Sequence, residues 1–474
     1  MTTLLAGRPK PPPLAPARDR VAAVGDMLLR HRRKIVGLQW VIVAVYVFLV
    51  VVPVLLPLPA RADHVWNNMT LFAQFVFWGI WWPFVLVSMV LVGRAWCGFL
   101  CPEGTLTEVA SRHGLKRAIP RWVMWNGWPF VAFALTTVYG QMTSVYQYPA
   151  PVLLILGGST VAAIIAGLLW GENKRVWCRF LCPVNGVFRV LAKLAPLHFA
   201  VDSEQWNSYQ LPPGEKFQPV HCAPMVAIRT MKSGSRCHMC GNCSGFRGGA
   251  VRLALRSPND DIVHVSGLKA EPWETVLIVF GLMGIAVGAF LWSSSPWMVL
   301  AKMRSAAFLI DNGLDGLLQV TLPWWILTHY PERNDVLTLL DGTLLIGFIA
   351  GFAILNGLIV SASLALASLA TGRFSAARFH HYAQALIPLA GVGVFLGLSA
   401  LTVTLLAQDG ISMPWVGILR AVLLAGSALW ALWLGWRISS LYSASPARRL
   451  LALAALVPAC ASTLAAWYLL FWVW

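Results

Sequence analysis

Charge is what this 474-residue sequence has least of: 12% of its residues are Asp, Glu, Lys or Arg, against about 25% in an ordinary soluble protein. With 58% hydrophobic residues and a mean hydropathy of +0.67, a soluble globular fold is excluded. Acidic residues are the scarcest charged class, 19 against 36 Lys and Arg, which leaves a net charge of +17. A surplus of that size points to nucleic acid only when it is gathered on a folded polar surface. Here it tracks hydrophobic segments instead, so nucleic acid is not an expected partner. Nine cysteines are too few for a secreted disulfide scaffold in a chain this long. Also missing are a phosphate loop, a nucleophile elbow, an HExxH zinc motif, a CxxCH haem attachment and any run of intramembrane acids. With no site for substrate chemistry, the pattern points to electron transfer.

What is present is apolar sequence in membrane-length runs. Nine spans are expected, at 35–57, 71–93, 122–142, 152–170, 275–292, 342–369, 384–406, 415–436 and 450–474, each near the roughly 20 residues needed to cross about 30 Å of hydrocarbon. With the N-terminus inside, segments 1–34, 94–121, 174–272, 371–383 and 437–450 hold 31 of the 36 Lys and Arg. That bias predicts an N-in, C-out topology. The fold class is therefore an all-α integral membrane protein of the bacterial inner membrane, in contact with membrane lipid. Four regions are expected: a basic, Pro-rich cytoplasmic tail without apolar periodicity (1–34), a four-helix membrane core (35–195), a cytoplasmic loop (196–272) and a five-helix extension (273–474).

The chemistry sits in an internal repeat. Arg94-Ala95-Trp96-Cys97-Gly98-Phe99-Leu100-Cys101-Pro102 and Arg175-Val176-Trp177-Cys178-Arg179-Phe180-Leu181-Cys182-Pro183 agree at seven of nine positions. Each copy is expected to close a membrane helix at its cytoplasmic end, with spans three and four between them, so that all four thiols meet on one face. The four-residue spacing puts both sulfurs of a copy on one side of a helix, which the proline ends or redirects. Four thiolates suit an iron–sulfur cluster or structural zinc, and a redox-active dithiol pair is a further reading.

A third group lies in the long loop: Cys222, then Cys237-His238-Met239-Cys240-Gly241-Asn242-Cys243. Cysteine-x₂-cysteine-x₂-cysteine is the spacing with which bacterial ferredoxins cap a 4Fe–4S cube. The usual fourth cysteine before a proline is absent; Cys222 is the natural substitute, with an open iron site or a water ligand as the alternative. Arg236, Arg247, Arg252 and Arg256 are candidates to stabilise a reduced cluster or dock an acidic donor. Trp96 and Trp177, next to repeat cysteines, are expected to line the cluster pocket. Cys460 is expected to be a packing residue, Asp341 a helix-start residue facing water, and 293–335 an interfacial helical segment with an aromatic belt.

The repeated Cys-x₃-Cys-Pro at helix ends followed by a ferredoxin-type loop resembles the NapH/NosR-like polyferredoxin membrane family, over residues 34–260. The resemblance implies cluster or redox roles for Cys97, Cys101, Cys178 and Cys182, and 4Fe–4S ligation by Cys237, Cys240 and Cys243. It implies electron passage between a quinone or cytoplasmic donor and a membrane or periplasmic redox partner. The single loop cluster followed by Ser-Gly-Phe-Arg-Gly-Gly also looks like the ferredoxin-like component of FtrABCD-type ferrous iron uptake systems, which would make an iron permease a partner. The chain departs from the family in having one incomplete loop motif where two complete ones are common, and in five further spans. Two readings from other classes stay open: a membrane-bound iron–sulfur redox sensor or maturation factor, and a zinc-stabilised transport accessory.

Overall fold

A computed structural model describes residues 20–60, 62–211, 213 and 219–474; most of the Pro-rich tail lies outside these. Among the described residues, eight helices are long and apolar enough to cross a membrane: Arg32–Leu55, Met69–Val92, Pro149–Leu169, Pro272–Ser294, Leu339–Ala370, Ile387–Gln408, Val416–Tyr442 and Pro446–Val473. The span expected at 122–142 is a shorter helix, Trp128–Met142, about 22 Å long at 1.5 Å per residue. Its start packs on Gly186 through Pro129, and its end receives the Thr328 amide on the Met142 carbonyl. Turns at 121–127 and 143–148 extend it on either side.

The two halves of the chain share one core. Leu86, Met89 and Trp96 belong to the same buried cluster as Leu282, Leu364, Tyr382, Leu434 and Leu456. At the loop side a buried ionic network ties them further. Lys193, 1% exposed, donates to Glu274 at 2.5 Å and to Gln384 at 2.7 Å, while Arg189 bridges Glu274 and Glu271. Arg236 completes it by pairing with Glu271, so this arginine serves an ion pair in front of the cysteine loop. Arg256 likewise pairs with Asp261, and Arg247 lies over the Trp206 ring.

The loop region is built on two antiparallel strands, Leu197–Val201 and Val251–Leu255, which bracket the cysteine turn. Against them lies a helix, Arg20–Arg30, where the sequence led us to expect a tail without periodicity. Its small residues Ala22 and Gly25 are buried. A β-carbon on Gly25 would come within 2.8 Å of Ser244 Oγ and 3.1 Å of Leu253 Cβ, and Ser244 donates to Asp26 at 2.7 Å. The missed signal is a short apolar face made of alanine and glycine rather than of large side chains.

Elsewhere, Asp341 is a buried cap: it forms a capping box with Thr338 and pairs with Lys302 at 2.6 Å, so it does not face water as expected. The far-side segment contributes the helix Pro296–Asp311, whose Trp297, Met303 and Phe308 are exposed, in keeping with an interfacial position. The aromatic stretch at 323–330 is itself turn and short strand. Cys460 is buried in the core.

Candidate iron–sulfur centre

After the span Met69–Val92 the chain turns at Gly93, which has a φ of +64°, and folds back into the bundle. For the first copy this corrects the expectation that the repeat simply closes a helix end. Trp96 packs on Trp81, ring centroids 5.0 Å apart, and Trp81 lies at the middle of Met69–Val92. Glu103 accepts a hydrogen bond from Ser159 at 2.6 Å, and Ser159 is the midpoint of Pro149–Leu169. The helix Pro102–Arg112 then climbs back to the loop side along that span, with Thr107 and Ala110 against Gly167. The first cysteine pair thus lies deep among the spans, about 15 Å from their loop-side ends at 1.5 Å per residue.

The two cysteines of this copy do not share a helix. Cys97 is in the short helix Ala95–Phe99, whereas Cys101 is the N-cap of Pro102–Arg112, with its sulfur accepting the Gly104 amide at 3.4 Å. Pro102 starts that helix, a position where its missing N–H costs nothing. In the second copy Cys178 sits in a π-helical turn, Trp177–Leu181, and Cys182 follows it. Cys97, Cys101 and Cys178 are within mutual electrostatic reach, and Cys182 feels Cys178 and Cys101. The four repeat thiols are therefore brought together, Cys97 and Cys178 being buried.

The residues around them are polar and paired. Arg175, 4% exposed, donates to Glu108 at 2.8 Å and to the Cys97 carbonyl. Arg94 reaches the Cys97 sulfur at 3.7 Å and the Ser235 carbonyl at 3.4 Å. Trp177 donates to Glu103 at 2.9 Å, and Gln39 to the Gly98 carbonyl at 2.8 Å. The buried cations at the repeat thiols are thus the arginines that open each repeat, while Arg236, Arg247 and Arg256 of the loop engage Glu271, Trp206 and Asp261.

The loop thiols form a second group. Cys243 feels Cys237, Cys240 and Cys222, and Cys222 feels Cys240, which brings Cys222 to the ferredoxin-type turn. Burial pushes the Cys237 thiol up to about 12, with the neighbouring Cys240 adding to the effect. Burial likewise raises Cys222 and, together with the crowding thiols, Cys243. Such a set resists carrying several negative charges unless a cationic core compensates them. Backbone amides point at two of the sulfurs: Met239 N–H to Cys237 at 3.3 Å and Val226 N–H to Cys222 at 3.4 Å. Among the described residues no three His, Cys, Asp or Glu side chains are gathered for a single metal ion. A cube, with one thiolate on each of four irons, asks for a wider ring of sulfurs than a tetrahedral zinc with Zn–S bonds of about 2.3 Å.

The two groups touch through Gly98. A β-carbon there would stand 2.1 Å from the His238 carbonyl and 3.2 Å from the Cys240 nitrogen. At the same position the second copy carries Arg179, which lies within electrostatic reach of His238 and Cys222. His238 itself is 1% exposed, with both ring nitrogens unpartnered; burial and the arginines 94, 175 and 179 keep its pKa well below the ordinary histidine value. Sequence reading passed it over, because a histidine between ferredoxin-type cysteines carries no signal without the tertiary contact.

Comparison with known proteins gives the same chemistry. A family model for a 4Fe-4S binding domain matches residues 74–120 and 152–200. The chain is 24% identical over 242 residues to "Putative electron transport protein YccM" of Escherichia coli, covering 44% of this chain and 65% of that protein. It is 29% identical over 134 residues to "Methylamine utilization ferredoxin-type protein MauN" of Methylorubrum extorquens (24% and 44%). With "Regulatory protein NosR" of Pseudomonas aeruginosa it shares 26% over 136 residues (24% and 19%). The chain spans less than two thirds of the length of each of these relatives. No solved structure matches. These matches bear out the resemblance to the NapH/NosR-like polyferredoxins and 4Fe–4S clusters as the cofactor.

Proposed function

We propose, from this kinship with ferredoxin-type membrane proteins, that the chain is an electron carrier of the bacterial inner membrane, with its cysteine loop inside. Cys97, Cys101, Cys178 and Cys182 hold one 4Fe–4S cluster and Cys222, Cys237, Cys240 and Cys243 the other. A bound 4Fe–4S cluster supplies a one-electron couple whose potential is set by charge, hydrogen bonds to sulfur and solvent exposure. The observation that carries the reading is the contact at Gly98, where the backbone between Cys97 and Cys101 lies against the backbone of Cys240. Electron tunnelling falls off exponentially with distance, and direct contact between the two ligand segments keeps their gap short.

The chain's own residues prepare both sites. Arg94 and Arg175, buried among the thiols, offset negative charge where water cannot. Amides of Gly104, Val226 and Met239 donate to sulfur, which stabilises thiolate and reduced core alike. The less buried loop cysteines face a cytoplasmic donor, while the deep group serves a quinone, a periplasmic redox protein or a partner permease in iron uptake.

The test is iron and acid-labile sulfide per chain on anaerobically purified protein, with EPR before and after dithionite. About eight irons and two reducible signals are expected from two four-iron clusters. Zinc in place of iron, or clusters that neither a one-electron carrier protein nor a quinone reoxidises, would overturn the carrier reading.

A further inference from the structure

Two buried side chains where the cysteine groups meet keep polar atoms without a partner. His238 is buried and neither ring nitrogen makes a hydrogen bond. Arg94, 3% exposed, directs its Nη atoms to the Ser235 carbonyl and the Cys97 sulfur and leaves Nε unpaired. A buried polar group left unsatisfied bears its full desolvation penalty, and native folds keep few of them. Both side chains therefore ask for an acceptor that the polypeptide does not supply.

The charged neighbours of the ring are cations. Arg94, Arg175 and Arg179 lie within electrostatic reach of it and, with burial, keep it neutral. A neutral imidazole carries one N–H and one acceptor nitrogen, and a guanidinium has donors only. The arginines can serve the acceptor nitrogen, but none can take the N–H. The same three side chains face both sets of thiols: Arg94 is felt by Cys178 and Cys237, Arg175 feels Cys178 and Cys240, and Arg179 is felt by Cys222. Glu108 and the Ser235 and Cys97 carbonyls already accept from Arg175 and Arg94, which leaves sulfur as the acceptor chemistry at hand. The repeat is shaped to this layer. Its copies differ in chemical kind at one position, where Gly98 makes room for the His238 carbonyl and Arg179 brings charge toward the ring.

We propose that the His238 ring N–H donates a hydrogen bond to sulfur of the 4Fe–4S cluster held by Cys97, Cys101, Cys178 and Cys182, and so raises that cluster's reduction potential. The deep cluster is the one addressed because two of the three arginines at the ring, Arg94 and Arg175, bond to Cys97 itself. The inference rests on the two-cluster electron-carrier reading. A donor to sulfur favours the more negative, reduced core, so an electron entering at the loop is drawn inward to the deep group. One electron moves, no bond is broken, and the proton stays on the ring. A histidine supplied by the loop thereby sets the potential of a cluster whose ligands all come from the repeat.

The test is an EPR-monitored redox titration of the full, iron-loaded chain, its two signals assigned with Cys97→Ala and Cys240→Ala. His238→Leu should keep the iron content and move the deep signal's reduction equilibrium about ten-fold toward the oxidised form, the equivalent of one hydrogen bond. For a one-electron couple that is a potential lower by about 59 mV. His238→Gln, which keeps an N–H donor, should recover much of the shift, and the loop signal should move less in both. With histidine nitrogen isotopically labelled, pulsed EPR of the reduced deep cluster should show a weak nitrogen coupling that His238→Leu removes. An unmoved deep potential, a shift confined to the loop signal, or a shift that Gln does not recover would overturn the assignment. So would a strong nitrogen coupling, which would make His238 a ligand, or loss of iron in both variants, which would make the ring structural. Absence of reducible clusters in the unaltered chain would sink the two-cluster reading itself. The expected shift in clusters that neither a carrier protein nor a quinone reoxidises would sink only the carrier function and leave the role of His238 standing.

Discussion

In the deep group the thiols come from two copies of one nonapeptide, brought together by helices that fold back into the bundle. In the loop group three of four come from a seven-residue turn, Cys237 to Cys243, whose own backbone sets their spacing. Gly241 sits there at a φ of +75°, with Leu28 Cβ 2.8 Å from where its side chain would be. The difference teaches what each site depends on. Damage to the loop site is local, whereas the deep site answers to the packing of spans, to Arg175–Glu108 and to Gln39. Both lean on Gly98.

The largest effects should come from separating the groups. Cys97→Ala should remove about half of the iron, leaving the loop signal, and Cys240→Ala should do the reverse; loss of all iron in either variant would make the two groups one site. Gly98→Val places carbon atoms inside the His238 carbonyl and should cost about 1–3 kcal/mol or more by overpacking, measured by thermal unfolding. It should also weaken magnetic coupling between the two EPR signals.

Glu108→Gln leaves Arg175 buried without its counter-charge, a change that costs about 3–5 kcal/mol when a buried pair is broken. Iron should be lost first from the deep group, and unchanged iron with an unchanged melting curve would show that the pair is dispensable there. On the loop side, burial and the nearby Arg256 hold His198 at about 4, below its unfolded value of about 6.5. The unfolded chain therefore binds the extra proton first, so this contribution is complete above pH about 6.5 and is lost as pH falls toward 4. His198→Phe should flatten the pH dependence of loop unfolding in that window, and an unaltered profile would assign the dependence to other groups. The smallest effect is Ser244→Ala, which unties the Arg20–Arg30 helix from the loop. About 1 kcal/mol is expected, read as faster proteolysis near residue 20.

Hydropathy alone located the eight long apolar helices, because a segment crossing hydrocarbon must satisfy its backbone internally and can hardly afford charge. Motif spacing found both cysteine groups, since the repeat and the ferredoxin spacing are written along the chain. What it misplaced were features made by contact between distant segments. Cys101 reads as one helix face with Cys97 but caps the next helix. Arg236 and Arg256, near the loop cysteines in sequence, pair with Glu271 and Asp261, while Arg94 and Arg175 supply the charge at the repeat sulfurs. The helix at 20–30 is held by a glycine that reads as a break until Ser244 and Leu253 are placed against it.

By itself the sequence determined the membrane class, the number of thiols and their grouping in fours, since these follow from composition and spacing. Only the tertiary structure decided that the first repeat turns back to mid-span and that Gly98 joins the two groups. The reason is physical: ligand spacing is a property of a few adjacent residues, whereas depth, burial and ring contact depend on which distant helices pack together. No local pattern encodes that choice.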